Sequence, residues 1–442
     1  MTKLLIFISF LILSISLNAF QSDSLIISKN TYLKIDSLEI RGNESTEEFV
    51  ILRELTFKIG ETVNGETIAY NRERVYSLGI FNTVEFYVIQ KININILVID
   101  VQESWYIYPI PFVKFRKDGL KDASYGMNFI YKNFRGRNEV LQLLFSFGYD
   151  PTFGVNYYNP LINEEHQLNL RLAAAYQKMS NKSDEAEVLY GKEFDYDFYG
   201  GSILLGKRLN QFNNIYLVMG YQRYKSPKTN ISRVTASGNE EDHSLMLGVQ
   251  YGYDSRDLAQ FAKEGVFFSA QLLHKGFGLR NISYNVFEMD FREYRNLIGQ
   301  INGKWRIANR QTFGKLVPYY DLSYLGYEEY VRGHRRENRE GNNYFLMSFE
   351  IYHPILDEWT LSLDLPLIPK KLTTARIGIQ LNLFADTGIA YNNGERWNIN
   401  NFLSGYGVGL TFLFLPYNSI RFEYALNEYR EGEFLIGTGF SF

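Results

Sequence analysis

The stretch ARIGIQLNLFAD, Ala375 to Asp386, alternates strictly. Ile377, Ile379, Leu381 and Leu383 point one way, and Arg376, Gln380, Asn382 and Asp386 point the other. Period two is the signature of a strand with one apolar face. SIRFEYALNE repeats the pattern, with Ile420, Phe422, Tyr424 and Leu426 opposite Arg421, Glu423 and Asn427. So does NVFEMDFRE, with Phe287, Met289 and Phe291 opposite Glu288, Asp290 and Arg292. From Trp105 onward such segments recur between clusters of Gly, Asn, Asp, Ser and charge, and no amphipathic helix interrupts them. Sixteen can be counted, from 106–116 to 432–442, with the twelfth at 344–354 and the thirteenth at 375–391. An even number suits a closed antiparallel barrel. The longer connectors, 180–193, 226–241 and 315–343, all follow odd-numbered strands, so all fall on one side of it.

A soluble sandwich would bury the apolar face against a second sheet; a transmembrane barrel would turn it to lipid. Composition favours the barrel. The chain has 442 residues, with 34 Tyr and 34 Phe giving a 16% aromatic share. Mean hydropathy is nonetheless only −0.22, because lipid-facing apolar and lumen-facing polar residues cancel. LLIFISFLILSISL, Leu4 to Leu17, follows Lys3 and precedes Asn18-Ala19, which predicts a cleaved signal peptide over 1–19. No later run is apolar for the ~18 residues of a membrane helix.

Other classes are excluded by what is missing. The net charge of −3 gives no reason to expect nucleic acid as a partner. There is no cysteine, so no disulfide and no thiolate metal site, and the five histidines are scattered without ligand spacing. No nucleotide loop, nucleophile elbow or paired His and carboxylate motif is present, so neither an enzyme nor a cofactor is expected.

Residues 31–103 read as a separate module. YLKIDSLEIRGN alternates with one slip of register. Ser45 and Glu48 have the spacing of a capping box before a helix, a second helical stretch ends at Gly79, and two strands follow, giving the order β-α-α-β-β. The opening from Ile35 to Asn43, ILREL at 51–55, Gly60, LGIFNTV at 78–84 and Val101 to Glu103 together resemble a POTRA domain, the periplasmic module of Omp85-type outer-membrane proteins. The rest, 105–442, carries further landmarks of that superfamily. Val331, Arg332 and Gly333 match the V-R-G-aromatic element of the sixth outer loop, with His334 where Phe or Tyr is usual. Phe384, Asp386 and Gly388 match F-x-D-x-G on the thirteenth strand. Asn133 to Arg137, Tyr253 to Asp257 and an end in Phe442 agree.

Alternation places Asp386 in the lumen and, by setting Phe345, Met347, Phe349 and Ile351 outward, places Glu350 there too. Two lumen carboxylates on neighbouring strands need a cation. The fork of Arg332 can bridge both if its loop folds inward, and Gly333 would allow the sharp turn. The alternative is three independently solvated charges. The resemblance implies the pairing.

The first and last strands form the expected seam. Pro109 and Pro111 lack ladder donors, and Gly437 and Gly439 weaken the last strand's lumen row. Such a seam could open sideways and offer an edge to an incoming strand; alternatively the prolines mark only a hinge. Phe434, Ile436, Thr438, Phe440 and Phe442 are expected to form the outward row, and a terminal aromatic after alternation resembles the assembly signal of outer-membrane barrels. The expected function is assembly or translocation in the bacterial outer membrane, with the lipid bilayer, unfolded barrel or secreted polypeptides, and periplasmic chaperones or accessory lipoproteins as partners. A two-partner secretion pore is the alternative. A passive porin would have neither the module nor VRGH.

Overall fold

The computed structural model describes residues 31–92, 94–115, 123–326, 329–335, 337–439 and 441–442. The signal peptide expected over 1–19 and the outward Phe440 lie outside the described residues.

The module is built on a three-stranded sheet in the order β2-β5-β4. Strand β2 (Ser37–Arg41) runs parallel to β5 (Ile94–Glu103), and β4 (Phe81–Lys91) runs antiparallel to β5. The slip of register near Asp36 separates β2 from a short extra strand, β1 (Tyr32–Lys34), which pairs with β3 (Thr62–Asn64). One helix spans Gly65–Tyr76. It starts where the Asn64 side chain accepts from the Thr67 N–H at 2.9 Å, which satisfies one of the free donors of the first turn. It stops at Tyr76, and Gly79 follows with φ +67°. The other helix, Glu48–Leu52, is shorter than expected and has no capping box. The N–H groups of Ser45 and Thr46 and the Thr46 hydroxyl instead donate to one oxygen of Glu103, at 2.9, 2.7 and 2.7 Å. A residue 58 positions from Ser45 does what Glu48 was expected to do locally. Ile51, Val75, Phe81, Leu97 and Ile99 form the fully buried core.

The remainder is a sixteen-stranded antiparallel sheet in sequence order, the wall of a barrel. Its first strand is β6 (Ile107–Phe115) and its last β23 (Gly432–Thr438). Alternation is visible in exposure. On β22 (Asn418–Asn427), Phe422 and Tyr424 face outward, while Arg421 and Glu423, which alternate with them, are buried in the lumen. Among the described residues no helix is long and apolar enough to cross a membrane; the outward rows of the strands are the apolar surface.

Two strands depart from their expected bounds by more than three residues. The twelfth wall strand, β19 (Asn343–Ser362), runs eight residues past Pro354. Its ladder with β16 (Ile301–Gly314) ends at Tyr352, so the remainder pairs only with β20 (Thr374–Tyr391), through two register shifts. Pro354 lies in this stretch, where with no β16 partner beyond Tyr352 the missing donor costs little. The last strand stops at Thr438 rather than at 442.

The module covers one mouth of the barrel. Glu47 N–H donates to the Gly136 carbonyl at 2.8 Å, Arg53 to the Pro160 carbonyl at 3.1 Å and Tyr70 to the Ser255 carbonyl at 2.8 Å. On the far side Arg376 pairs with Glu73 at 2.8 Å. The connectors 181–194, 226–240 and 315–342 lie at the opposite mouth and pack together, with Tyr224 and Tyr320 stacked at 3.8 Å.

Because Ile51 is fully buried in the module, Ile51→Ala should cost about 2–5 kcal/mol of module stability. Limited proteolysis should then cut within 31–103 while the barrel stays protected. Barrel loss in step with the module would show the two to be one folding unit.

Candidate functional site: an arginine held in the barrel lumen

The long connector between β16 and β19 does not stay outside. It carries a small hairpin of β17 (Ser323–Leu325) and β18 (Arg339–Gly341), and its tip drops into the lumen. Asp321 fastens one end, bound to Lys275 at 2.7 Å and Arg310 at 2.6 Å. Glu329 fastens the next part, bound to Arg306 at 2.7 Å.

At the tip Val331 is buried against Ala308, Leu346 and Leu403. Gly388 leaves room for it: a Cβ there would lie 3.1 Å from a Val331 methyl. Gly333 has φ +98°, a backbone conformation that strains any L side chain. Gly405, on β21 (Leu403–Leu415), is needed just as much, since a Cβ there would sit 1.7 Å from the Arg332 carbonyl oxygen.

This placement aims Arg332, only 4% exposed, at three carboxylates. Its Nε and Nη2 donate to the two oxygens of Asp386 at 2.7 and 2.8 Å, a bidentate fork. Its Nη1 donates to Glu350 at 3.1 Å and to Glu423 at 2.9 Å, and its backbone N–H reaches Asp386 at 3.2 Å. The guanidinium lies 3.7 Å from the ring centroid of Phe384, which packs its face as a cation–π platform. The residues named from the sequence, Val331, Arg332, Gly333, Glu350, Phe384, Asp386 and Gly388, therefore meet at one place.

Sequence reasoning missed three members. Glu423 was read as a lumen residue but lies on β22, two strands from β20. Lys304 sits directly across the ladder from Glu350 and binds it at 3.0 Å. Arg421 approaches Glu423 at 3.5 Å. Three buried cations thus face three buried carboxylates. Burying any one unpaired would cost several kcal/mol.

His334 is buried beside this cluster. Its two ring nitrogens lie 2.6 Å from Glu428 and 2.8 Å from Glu337. A phenyl or phenol ring could not make both bonds, so the departure at this position replaces packing with an ion triad. Burial pulls the imidazole pKa down, but the hydrogen bonds to Glu428 and Glu337 outweigh it and the net shift is upward from 6.5. The tip also reaches the last strand: Arg335 N–H donates to Glu433 at 3.2 Å, and Tyr330 packs beside Leu435.

The seam is more open than the sequence suggested. β6 pairs only with β7 (Ala123–Phe134), β23 pairs only with β22, and among the described residues no ladder joins β6 to β23. Pro109 and Pro111 lie outward-facing on this free-edged strand. Gly437 does face the lumen, where a Cβ would come within 2.7 Å of the Arg421 guanidinium; small size there makes room for a lumen cation. Gly439 lies beyond the strand with φ +83°. There the chain turns inward, which corrects the expectation for Phe442. Phe434 and Ile436 face outward as expected, but Phe442 is buried in the lumen. Its carbonyl accepts from the Tyr294 hydroxyl at 3.0 Å, and Lys304 lies 4.8 Å from its ring centroid and 2.5 Å from the Ser441 hydroxyl. Alternation cannot continue through a glycine at positive φ, so the period-two extrapolation failed there.

A sixteen-stranded barrel with a small α+β module at one mouth and an arginine-tipped loop folded in from the other is the architecture that the resemblance to Omp85-type proteins implies. Comparison with known proteins agrees. The model of the Omp85 superfamily domain matches residues 133–442, and the POTRA model, described as a surface antigen variable number repeat, matches residues 33–104. The chain belongs to the Omp85 superfamily. BamA from Haemophilus ducreyi, in a crystal structure lacking POTRA domains 1–3, is 18% identical, with 92% of this chain and 85% of that one covered at a TM-score of 0.53. CdiB from Escherichia coli is 9% identical, with 92% and 75% covered at a TM-score of 0.55. These likenesses are of fold. No curated protein sequence matches the chain.

Arg332→Ala leaves three carboxylates to two cations and should destabilise the folded loop by about 3–5 kcal/mol, read as new tryptic cleavage at Arg335. Unchanged protection would mean the pairs are dispensable. The His334 triad adds a pH dependence. The upward shift of His334 contributes stability that is present below 6.5 and lost as pH rises through its raised pKa. Burial raises both carboxylates, but it is outweighed in Glu337 by His334 and Arg339 and in Glu428 by backbone N–H groups and His334, so both pKa values fall below 4.5. Their contribution is lost on acidification. Loop protection should be greatest between those limits, and His334→Phe should remove the alkaline decline. A variant with an unchanged pH profile would dismiss the triad.

Proposed function

We propose that the protein inserts or translocates polypeptide clients at the bacterial outer membrane, with the 31–103 module in the periplasm as the docking element and the barrel of 105–442 in the bilayer. The observation that supports this most is the unladdered seam. A wall whose first and last strands share no ladder among the described residues exposes two rows of donors and acceptors, and an incoming strand can add to either by β-augmentation. The loop tip holding Arg332 contacts β23 through Glu433 and Leu435, so the same bonds that keep the loop in the lumen steady one lip of the seam. In this reading Arg332, Asp386, Glu350 and Glu423 form a lock, and His334 is its outer latch. The periplasmic chaperones or lipoproteins that deliver clients would meet the module. With no nucleotide site to supply energy, the folding free energy of the client drives the step.

A second reading keeps the barrel but sends an extended chain through the lumen, as a secretion pore. The fold likeness to CdiB leaves room for it. It would require both the loop tip and the Ser441-Phe442 tail to leave the lumen, whereas the lateral route begins at the seam and disturbs fewer of these contacts.

Two experiments separate the readings. Depletion followed by an outer-membrane protein inventory should show many barrels falling together; loss of a single exported protein would favour secretion. Cysteine pairs between 107–113 and 434–437, oxidised to staple the seam, should abolish function and recover it on reduction. Full activity in a stapled barrel would rule out the lateral route.

A further inference from the structure

A cavity of about 260 Å³ lies where the module meets the barrel, and its wall is strongly cationic. Arg53 and Arg74 of the module and Arg137, Arg171, Arg208 and Arg256 of the barrel line it, against two carboxylates, Glu54 and Asp254. Those two are already engaged. Glu54 binds Arg74 at 2.7 Å and Arg208 at 3.1 Å, and Asp254 binds Arg256 at 2.7 Å. Arg137 has its carboxylate, Glu47, only at 3.8 Å. Among the described residues neither Arg53 nor Arg171 has a carboxylate within ion-pair distance.

The positions of these guanidiniums are fixed by groups that do not neutralise them. Arg171 lies between two rings, 4.8 Å from the centroid of Tyr158 and 5.5 Å from that of Tyr216. Arg137 stacks on Phe49, whereas Arg74, on Phe212, is already paired with Glu54. Stacking on a ring face orients the planar fork and leaves its N–H donors free at the rim. Arg53 donates one N–H to the Pro160 carbonyl, while its buried Nε has no partner. Burial and then the charge of Arg208 depress the pKa of Arg53, so the guanidinium sits in a field that an anion would relieve. Like charges drawn together without counter-charge oppose folding, and a buried donor left unmade is costly.

We propose that this cavity is a binding site for a phosphate-type oxyanion, held by the forks of Arg53 and Arg171, which ties the module to the barrel mouth. A doubly charged tetrahedral anion matches several convergent guanidiniums better than a single carboxylate does. The phosphate group could be free in the periplasm or carried on a lipid headgroup. The proposal is independent of which client the barrel handles.

The test uses the full chain in a phosphate-free zwitterionic detergent. Titration calorimetry with inorganic phosphate and pyrophosphate, at constant ionic strength, should give one saturable site per chain. Arg53→Gln and Arg171→Gln should each weaken it by about tenfold, the loss of one charge-assisted bond. Arg53→Lys and Arg171→Lys, which keep the charge and lose the fork, should fold and still bind more weakly than the native chain. Native mass spectrometry separates the sources: a bound lipid phosphate that inorganic phosphate displaces supports a headgroup, and a site that purifies empty and fills on titration supports a free anion. Binding of acetate as tight as that of phosphate would overturn the assignment, as would no saturable binding, or binding unchanged in both Gln variants.

Discussion

A single guanidinium buried among three carboxylates sets the terms for the rest of the molecule. Arg332 cannot sit in the lumen without Asp386, Glu350 and Glu423, and those three could not be buried together on β19, β20 and β22 without it. The arrangement carries Lys304 and Arg421 with it, so that charge balances at three against three. It also demands small residues wherever the loop approaches the wall. Gly405 faces the Arg332 carbonyl and Gly388 faces Val331. A loop that enters the lumen therefore dictates residues on strands more than 50 positions downstream.

The lumen is consequently filled from both mouths. The loop tip enters from one end, the Ser441-Phe442 tail turns in from the wall, and the module closes the other end. Lys304 links two of these, binding Glu350 in the lock and Ser441 in the tail. A displaced tail would remove one of the two polar partners of a buried ammonium. Motion at the seam and motion of the loop are therefore coupled through the same side chains, and a route sideways disturbs fewer of them than a route straight through.

Much of this architecture is legible in the sequence because period-two alternation is a strong signal over ten or more residues. ARIGIQLNLFAD fixes its strand, its faces and the lumen position of Asp386 without any structure. The failures occur where a partner is far away in sequence. Ser45 and Glu48 have the spacing of a capping box, but Glu103 wins the same N–H groups from across the module. Lumen position was legible for Glu423, yet its contact with Arg332 depends on barrel curvature, which alternation does not encode. Phe442 looked like the end of an outward row because a positive φ at Gly439 cannot be read from a glycine alone. The arginine cavity was invisible for a similar reason: its members come from six separate segments.

The central claim, that Arg332 and its carboxylates hold the loop in the lumen, is tested most directly by a double-mutant cycle between Arg332→Gln and Asp386→Asn, read as equilibrium stability of the loop in the folded barrel. A bidentate buried pair should give a coupling energy of about 1.5–3 kcal/mol. Two effects that simply add, within about 0.5 kcal/mol, would contradict it.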